Sequence, residues 1–430
     1  MQRIQFGFAR IAPVVSAVPV VSDAPVASVA ADAPVASVSP VAVVAPVVFV
    51  APLASVASAA PVAAATPAAS FAAASAFASV FTLATALLLA AAPAHAAPCM
   101  TVTLTGTQGG PAATGTQGGL AGAGTLVRYG DDADDCNAVR LQFDAGRGTT
   151  MRLAQLGITP GQLDALFFTH VHSDHSEGMA DLLQLRWHFE YARPKLDIVC
   201  AADAPAPQGH VMSCAKLLAA SGGDQIASGE IAQRRAEDPA RPAAGPPAVA
   251  RLIHFTPADA PQVVWSSGAV RVSAVRSTHI AGHASYRVDT PAGSVVIGGD
   301  AGNDVLAPPR PSSTSTQVEA LARGADVLVH SAIHPIMGPQ GGSGFAAPNF
   351  HRQSAAPDLG ALAQRAGVKT LMITHMIPAL NADRQGPYKI PGGPLSAAAW
   401  REAVAGAGGG NYGGNVVIGT DLASVRVPAK

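Results

Sequence analysis

From about residue 100 onward the hydrophobic positions fall into short blocks, and these predict strands first and helix–strand units later. Met100–Leu104 alternates apolar residues with threonine, the period of a half-buried strand. Val139–Phe143 predicts a second strand, running into Asp144-Ala145-Gly146, with a short helix over Met151–Leu156. Ala165–Thr169 is an apolar run that predicts a buried strand. Glu177–Trp187 has helical spacing, with Met179, Leu182, Leu183 and Leu185 available for a core face. Val270–Val275, Ser285–Val288 and Ser294–Ile297 predict strands. A helix over Val318–Arg323 precedes a strand over Val327–Val329, and a helix over Leu359–Ala366 precedes one over Thr370–Ile373. A helix over Ser396–Val404 and strands over Val416–Ile418 and Val425–Val427 complete the chain. This order suits a mixed sheet sandwich flanked by helices.

The first hundred residues carry no such pattern. Arg3 and Arg10 are the only basic residues before Arg128, and DAPVASV occurs at 23–29 and again at 32–38. A tract of Ala, Val, Pro and Ser lacks the large side chains that fill a core, so residues 1–70 are expected to be unstructured. FTLATALLLAAAPAHA at 81–96 reads as an apolar segment ending in a small-residue cleavage site, Ala94-His95-Ala96. Either the true start lies closer to residue 80 or the tract is a long leader; an uncleaved apolar anchor is the competing reading. We expect residues 1–96 to be a leader and 97–430 the functional domain, placed in the periplasm or secreted, with no stable membrane insertion after the leader is removed.

The chain has 430 residues, 49% hydrophobic and 13% charged, which excludes a wholly disordered polyelectrolyte. With 27 basic and 28 acidic residues, no global field steers it toward nucleic acid. Cys99, Cys136, Cys200 and Cys214 all follow the leader. In an oxidising compartment, Cys99–Cys136 and Cys200–Cys214 would close the shorter loops; four free buried thiols are the alternative. TGTQGG at 105–110 and again at 114–119 reads as a flexible loop, because no phosphate-cradle motif surrounds it. Residues 203–250, rich in Ala, Pro and Gly, read as a surface insertion.

The chemistry concentrates in FFTHVHSDHSEG, directly after the apolar strand at 165–169. His170 and His172 project to one side of an extended chain and can reach one metal, while Asp174 and His175 can turn toward a second. Imidazole with carboxylate suits zinc, with manganese or iron as alternatives.

An HxHxDH run after an apolar strand resembles the metallo-β-lactamase superfamily, whose fold is a four-layer αββα sandwich in the α/β class. Further motifs resemble one branch, the ribonuclease Z and arylsulfatase-like hydrolases. These are LQFDAGRGTTMRL at 141–153, STHIAGHASYRV at 277–288, VVIGGDAGND at 295–304, ADVLVHSAIH at 325–334, GVKTLMITHMIPA at 367–379 and the closing VVIGTDLASVRV. The resemblance implies two Zn2+ ions. His170, His172 and His279 would bind the first; Asp174, His175 and His375 would bind the second; and Asp300 would bridge them. Water between the cations would supply hydroxide. Asp174 and His330 are the expected catalytic residues, His330 as general acid. Asp144 is expected to orient a ligand imidazole, and His351 is a further site candidate. His283 could compete with His279, but His279 has the right offset to Tyr286-Arg287. Trp187 and Tyr191 could line a pocket or pack in the core.

The expected activity is hydrolysis of small-molecule esters, whether aryl sulfates, phosphodiesters or lactones, by an exported enzyme. A ribonuclease Z-like endoribonuclease processing tRNA 3′ ends is the alternative, with nucleic acid as its partner. Against the alternative stand the 21 positions from His279 to Asp300, too few for the family's tRNA-gripping arm, and the replacement of the family's His-Glu-Ala-Thr by His330-Ser331-Ala332-Ile333. A metal-stabilised binding protein without turnover is the reading from another class; all seven ligand positions being filled argues against it.

Overall fold

The computed structural model describes residues 96–110, 119–406 and 412–428. The leader before Ala96, with its repeats and apolar segment, and the second TGTQGG up to Gly118 lie outside the described residues. Two seven-stranded sheets face each other. The first runs Ser424–Val427, Pro98–Gly106, Gly124–Asp131, Val139–Phe143, Ala165–Phe167, Leu196–Ala201 and Ala250–Phe255. The second runs Asn415–Ile418, Thr370–Ile377, Val327–Ile333, Gly293–Ile297, Ala284–Thr290, Val270–Arg276 and Gln262–Ser267. In each, one half pairs antiparallel and the other parallel.

Three apolar layers define four structural ones. Between the sheets pack Met100, Val102, Leu104, Phe143 and Phe167 against Trp265, Val272, Tyr286, Val288 and Val295. Phe143 and Phe167 stack with ring centroids 4.6 Å apart. The outer face of the first sheet is covered by helices Thr149–Gln155 and Gly178–Phe189, through Leu153, Met179, Leu182 and Leu183. Helices Thr316–Leu321, Ala356–Ala366 and Ala397–Ala405 cover the second through Val318, Leu359, Leu362 and Trp400. This is the αββα sandwich expected above. Strands buried on both faces explain why Pro98–Gly106 is buried almost throughout despite its alternating sequence.

Residues 203–250 depart from the expected loop. They hold helices Cys214–Ala220, Gly223–Ala227 and Glu230–Glu237, and Leu218 and Ile231 join the core over the first sheet. Cys99 is bonded to Cys136 and Cys200 to Cys214, the pairing that closes the shorter loops. Among the described residues, no helix is long and apolar enough to cross a membrane.

The sheets are pinned together where the histidine run begins. The Tyr286 hydroxyl donates to the Phe168 carbonyl at 2.7 Å, and the Ala284 amide to the Thr169 carbonyl at 2.9 Å. His170, Asp300 and His375 therefore emerge at the same edge of the sandwich, beyond or near the carboxyl ends of parallel strands, the usual location of sites in such sheets.

Candidate metal centre

Each histidine of the 170–175 run is set by the turn it occupies. The backbone leaves strand Ala165–Phe167, passes His170 and His172 in extended form, and closes into the single turn Ser173–Ser176 that carries Asp174 and His175. His170 Nε2 and His172 Nδ1 converge to 2.9 Å. His279 arrives from the loop after strand Val270–Arg276, and Asp300 from the turn after Gly293–Ile297.

His375 comes from inside a strand. Ser331 pairs with Thr374, but the next residue, Ala332, pairs with Met376, so His375 is the extra residue of a β-bulge. Its φ is +44°, in the left-handed region. A bulge bends the strand and re-aims one side chain, and here it is the one that joins the cluster. A Cβ on Gly109 would come within 2.8 Å of the His375 carbonyl oxygen and 2.9 Å of its Nδ1. The first TGTQGG is thus a wall of the site, and only a residue without a side chain fits against the bulge.

Three sets of ligand atoms each lie within 4.8 Å of one another: His170, His172 and His279; His170, His175 and Asp300; and Asp174, His175 and His375. Asp300 Oδ2 stands 3.3 Å from His375 Nε2, 3.5 Å from His175 Nε2 and 3.6 Å from His279 Nε2. Asp174 Oδ2 is 3.0 Å from His375 Nε2. All seven residues proposed from the sequence are brought together, and His170 also groups with His175 and Asp300 across the two proposed trios.

The surroundings orient the rings. Asp144 accepts hydrogen bonds from the Thr169 amide and hydroxyl, both at 2.8 Å, and its Oδ2 lies 2.9 Å from His175 Nδ1. His279 Nδ1 faces the Arg352 carbonyl at 3.4 Å, which directs Nε2 inward. His283 does not compete for the cluster. Its Nε2 accepts from the Asp300 amide at 3.2 Å, and its Nδ1 lies 2.8 Å from the Ser277 hydroxyl, so it braces the Asp300 turn.

Burial and mutual charge divide the titrating groups. Burial and the neighbouring imidazoles hold His170 well below the ordinary histidine range, and burial lowers His172 and brings His279 to about 4. These three are neutral and have lone pairs to give. Burial alone would raise Asp174, but the hydrogen bond from His375 and the charge of His175 outweigh it and hold the carboxyl at about 2. Asp300 is likewise held well below its usual range by His375 and His175 against the cost of burial.

The donor set fits bound metal cations. His175 Nε2 and Asp300 Oδ1 are buried without hydrogen-bond partners, an arrangement costly unless something else satisfies the group. Imidazole and carboxylate from four separate segments converge, a donor set that suits divalent metal ions.

The cluster forms the floor of a cavity of about 760 Å³, walled by Asn349, Arg352 and Gln353 and rimmed by Phe345, Gln385 and Tyr388. His330 is not part of this lining. It is fully buried, its Nδ1 lies 2.7 Å from the Ser331 carbonyl, and a Cβ on Gly298 would come within 2.1 Å of its ring. His351 also lies outside the lining, against Phe350; its neighbour Arg352 faces the cavity instead. Trp187 is fully buried, donating to the Pro242 carbonyl, and Tyr191 bonds Asp238; both belong to packing. Arg352, Phe345 and Tyr388 were not singled out by sequence, because none stands in a motif.

No family model matches the chain. It is similar to the ribonuclease Z of Mycobacterium sp. (strain KMS), 30% identical over 268 residues that make up 62% of this chain and 81% of that one. The ribonuclease Z of Mycobacterium avium (strain 104) is 30% identical over 307 residues, 71% of this chain and 91% of that one. The chain belongs to the ribonuclease Z family. Among solved structures it is similar to the metallo-β-lactamase fold protein YhfI from Bacillus subtilis, with a TM-score of 0.46 and 18% identity over 76% of this chain and 99% of that one. This ribonuclease Z family member has a short connection between His279 and Asp300. Residues 284–297 there form only the hairpin Ala284–Thr290 with Gly293–Ile297.

Proposed function

We propose that this chain is a metal-dependent hydrolase of phosphodiester bonds, acting on RNA or RNA-derived substrates. Its relatedness to ribonuclease Z favours this over the small aryl ester placed first on sequence grounds, and reverses the order of those two readings. The observation that carries the proposal is Asp300 Oδ2, within 3.6 Å of imidazole nitrogens from both trios. One carboxylate shared between two ligand sets is what a dinuclear centre needs.

His170, His172 and His279 would hold one cation, Asp174, His175 and His375 the other, and Asp300 both. Divalent cations there would supply Lewis acidity toward a phosphoryl oxygen and depress the pKa of water toward neutrality. Zinc suits the donors, and manganese or iron are the other cations this set admits. The protein's own part is positional. Asp144 fixes the His175 ring, the Arg352 carbonyl fixes His279, and His283 braces Asp300. Burial opposes ionisation of Asp174 and Asp300, and the neighbouring His375 and His175 outweigh it and keep both carboxylates ionised. His330 is given no proton-transfer step, because it is walled off from the cavity.

A second reading keeps the same chemistry on a small exported phosphodiester. Two disulfides suit an oxidising compartment, the basis for continuing to propose a periplasmic or secreted location. Purified full-length protein loaded with zinc would be assayed on bis-p-nitrophenyl phosphate, p-nitrophenyl sulfate and a precursor tRNA with a 3′ trailer. Turnover of the diester is expected, and trailer cleavage would decide for the first reading. Hydrolysis of the sulfate with neither phosphodiester cleaved would overturn the proposal.

A further inference from the structure

The cavity wall holds a cation without a counter-charge. Some arginines are held by carboxylates, Arg276 by Asp304 and Arg365 by Glu319, and others by carbonyls, Arg186 by Pro160 and Arg310 by Val305. Among the described residues none holds Arg352, and its Nε is buried with no hydrogen-bond partner. The residue caps the short helix Ala347–His351, and its carbonyl faces His279 Nδ1, so its backbone is placed at the edge of the metal cluster. Arg352 lines the same cavity as His172 and His279. A guanidinium beside a cation-binding cluster is repelled by bound cations unless an anion sits between them. It also presents planar paired donors suited to phosphate.

The cavity rim is aromatic. Phe345 and Tyr388 meet edge to face, ring centroids 5.0 Å apart, both half-buried and both lining the cavity. Tyr388 rides on the hairpin Arg384–Gln385 with Tyr388–Lys389. Gln385 ties that hairpin down at both ends of its amide, donating to the Gly109 carbonyl at 2.9 Å and accepting from the Ala379 amide at 3.1 Å. The rim is therefore pre-ordered, and an aromatic wall at fixed height above an anion site suits a flat ring carried on a phosphate. A volume of about 760 Å³ has room for a nucleotide.

We infer that Arg352 with the Phe345–Tyr388 pair forms a nucleotide subsite beside the metal centre, the guanidinium taking an anionic phosphate oxygen and the rings taking the base. This rests on the phosphodiesterase reading and assigns the side chains outside the metal ligands that would recognise one nucleotide unit of the substrate. Arg352 and the two rings act here as specificity-determining residues, and cation binding stays with the seven ligands.

The test is calorimetric binding of adenosine 5′-monophosphate, adenosine and inorganic phosphate to the zinc-loaded full chain. Arg352→Met is expected to weaken the monophosphate about 10–100-fold, the range for a lost charge-assisted hydrogen bond, and to leave adenosine unchanged. Tyr388→Ala is expected to weaken the monophosphate and adenosine alike by about 5–100-fold while inorganic phosphate binds as before. Should Arg352→Met lose its zinc, Arg352→Lys carries the test, with a smaller loss for the monophosphate and none for adenosine. Wild-type binding of the monophosphate by both arginine variants, or no binding of it by the wild type, overturns the subsite. Hydrolysis of bis-p-nitrophenyl phosphate by the wild type judges the phosphodiesterase reading separately.

Discussion

Asp144 Oδ2 stands 2.9 Å from His175 Nδ1 while the same carboxylate accepts from the amide and hydroxyl of Thr169. Asp144 itself sits at φ +55°, a conformation uncommon outside glycine, at the end of strand Val139–Phe143. One side chain thus joins the strand before the histidine run to the run's last ring. Asp144→Asn keeps the shape but gives up the charge and one acceptor. It is expected to fold and to lose about 10–100-fold in zinc affinity, the usual cost of removing a ligand's outer partner. Competition with a chelator of known affinity measures this; affinity equal to wild type would show that His175 is oriented by other contacts.

His330 separates two accounts of the leaving group. A general acid assists poor leaving groups far more than good ones and contributes about 10²–10⁴-fold. Burial behind Gly298 gives His330 no path to a leaving oxygen. His330→Gln is therefore expected to change turnover of bis-p-nitrophenyl phosphate and of diphenyl phosphate by the same factor. A selective loss on diphenyl phosphate would restore His330 as the acid.

The disulfides differ in reach. Cys99–Cys136 spans 37 positions and Cys200–Cys214 spans 14. On a chain-entropy basis they stabilise by about 4 and about 3 kcal/mol. Native protein isolated from an oxidising compartment is expected to show no titratable thiol. Its Tm should fall on reduction, and more for Cys99→Ser/Cys136→Ser than for Cys200→Ser/Cys214→Ser. Four reactive thiols in that material would argue against both bridges and against export.

An acid-sensitive contact lies outside the centre. Hydrogen bonds from Arg276, then Thr278 and Gln317, hold the Asp304 carboxyl at about 2 against burial. The unfolded carboxyl, near the ordinary 3.9, takes up its proton first as pH falls. The stabilisation is therefore complete above about pH 5 and lost by about pH 2, and exposure keeps it to about 1 kcal/mol or less. The Tm gap between wild type and Asp304→Asn should be largest near neutrality and close on acidification. A gap that widens in acid would contradict this assignment.

The parts legible in the sequence were those written locally. Ala165–Thr169 and the histidines after it needed only a strand and a turn. Helix Gly178–Phe189 and strand Val139–Phe143 follow their hydrophobic spacing within two residues. Strands Leu196–Ala201, Ala250–Phe255 and Gln262–Ser267 were not read; the last two follow the Ala/Pro-rich stretch that resembled a loop. The bulge at His375 depends on cross-strand register, which no local pattern reports. At the cavity wall His351 was singled out, yet the next side chain faces inward, because one helical step turns the direction by about 100°. Trp187 looked like a pocket residue by type, and its position on the buried face of a helix made it core.

The central claim is that two cations gathered about Asp300 drive phosphodiester cleavage. Its most direct test is bis-p-nitrophenyl phosphate hydrolysis by chelator-stripped protein titrated with zinc. Activity absent in the stripped protein and rising to a plateau at two equivalents per chain is the expected result. Hydrolysis that survives stripping, or that never appears at any zinc loading, would contradict it.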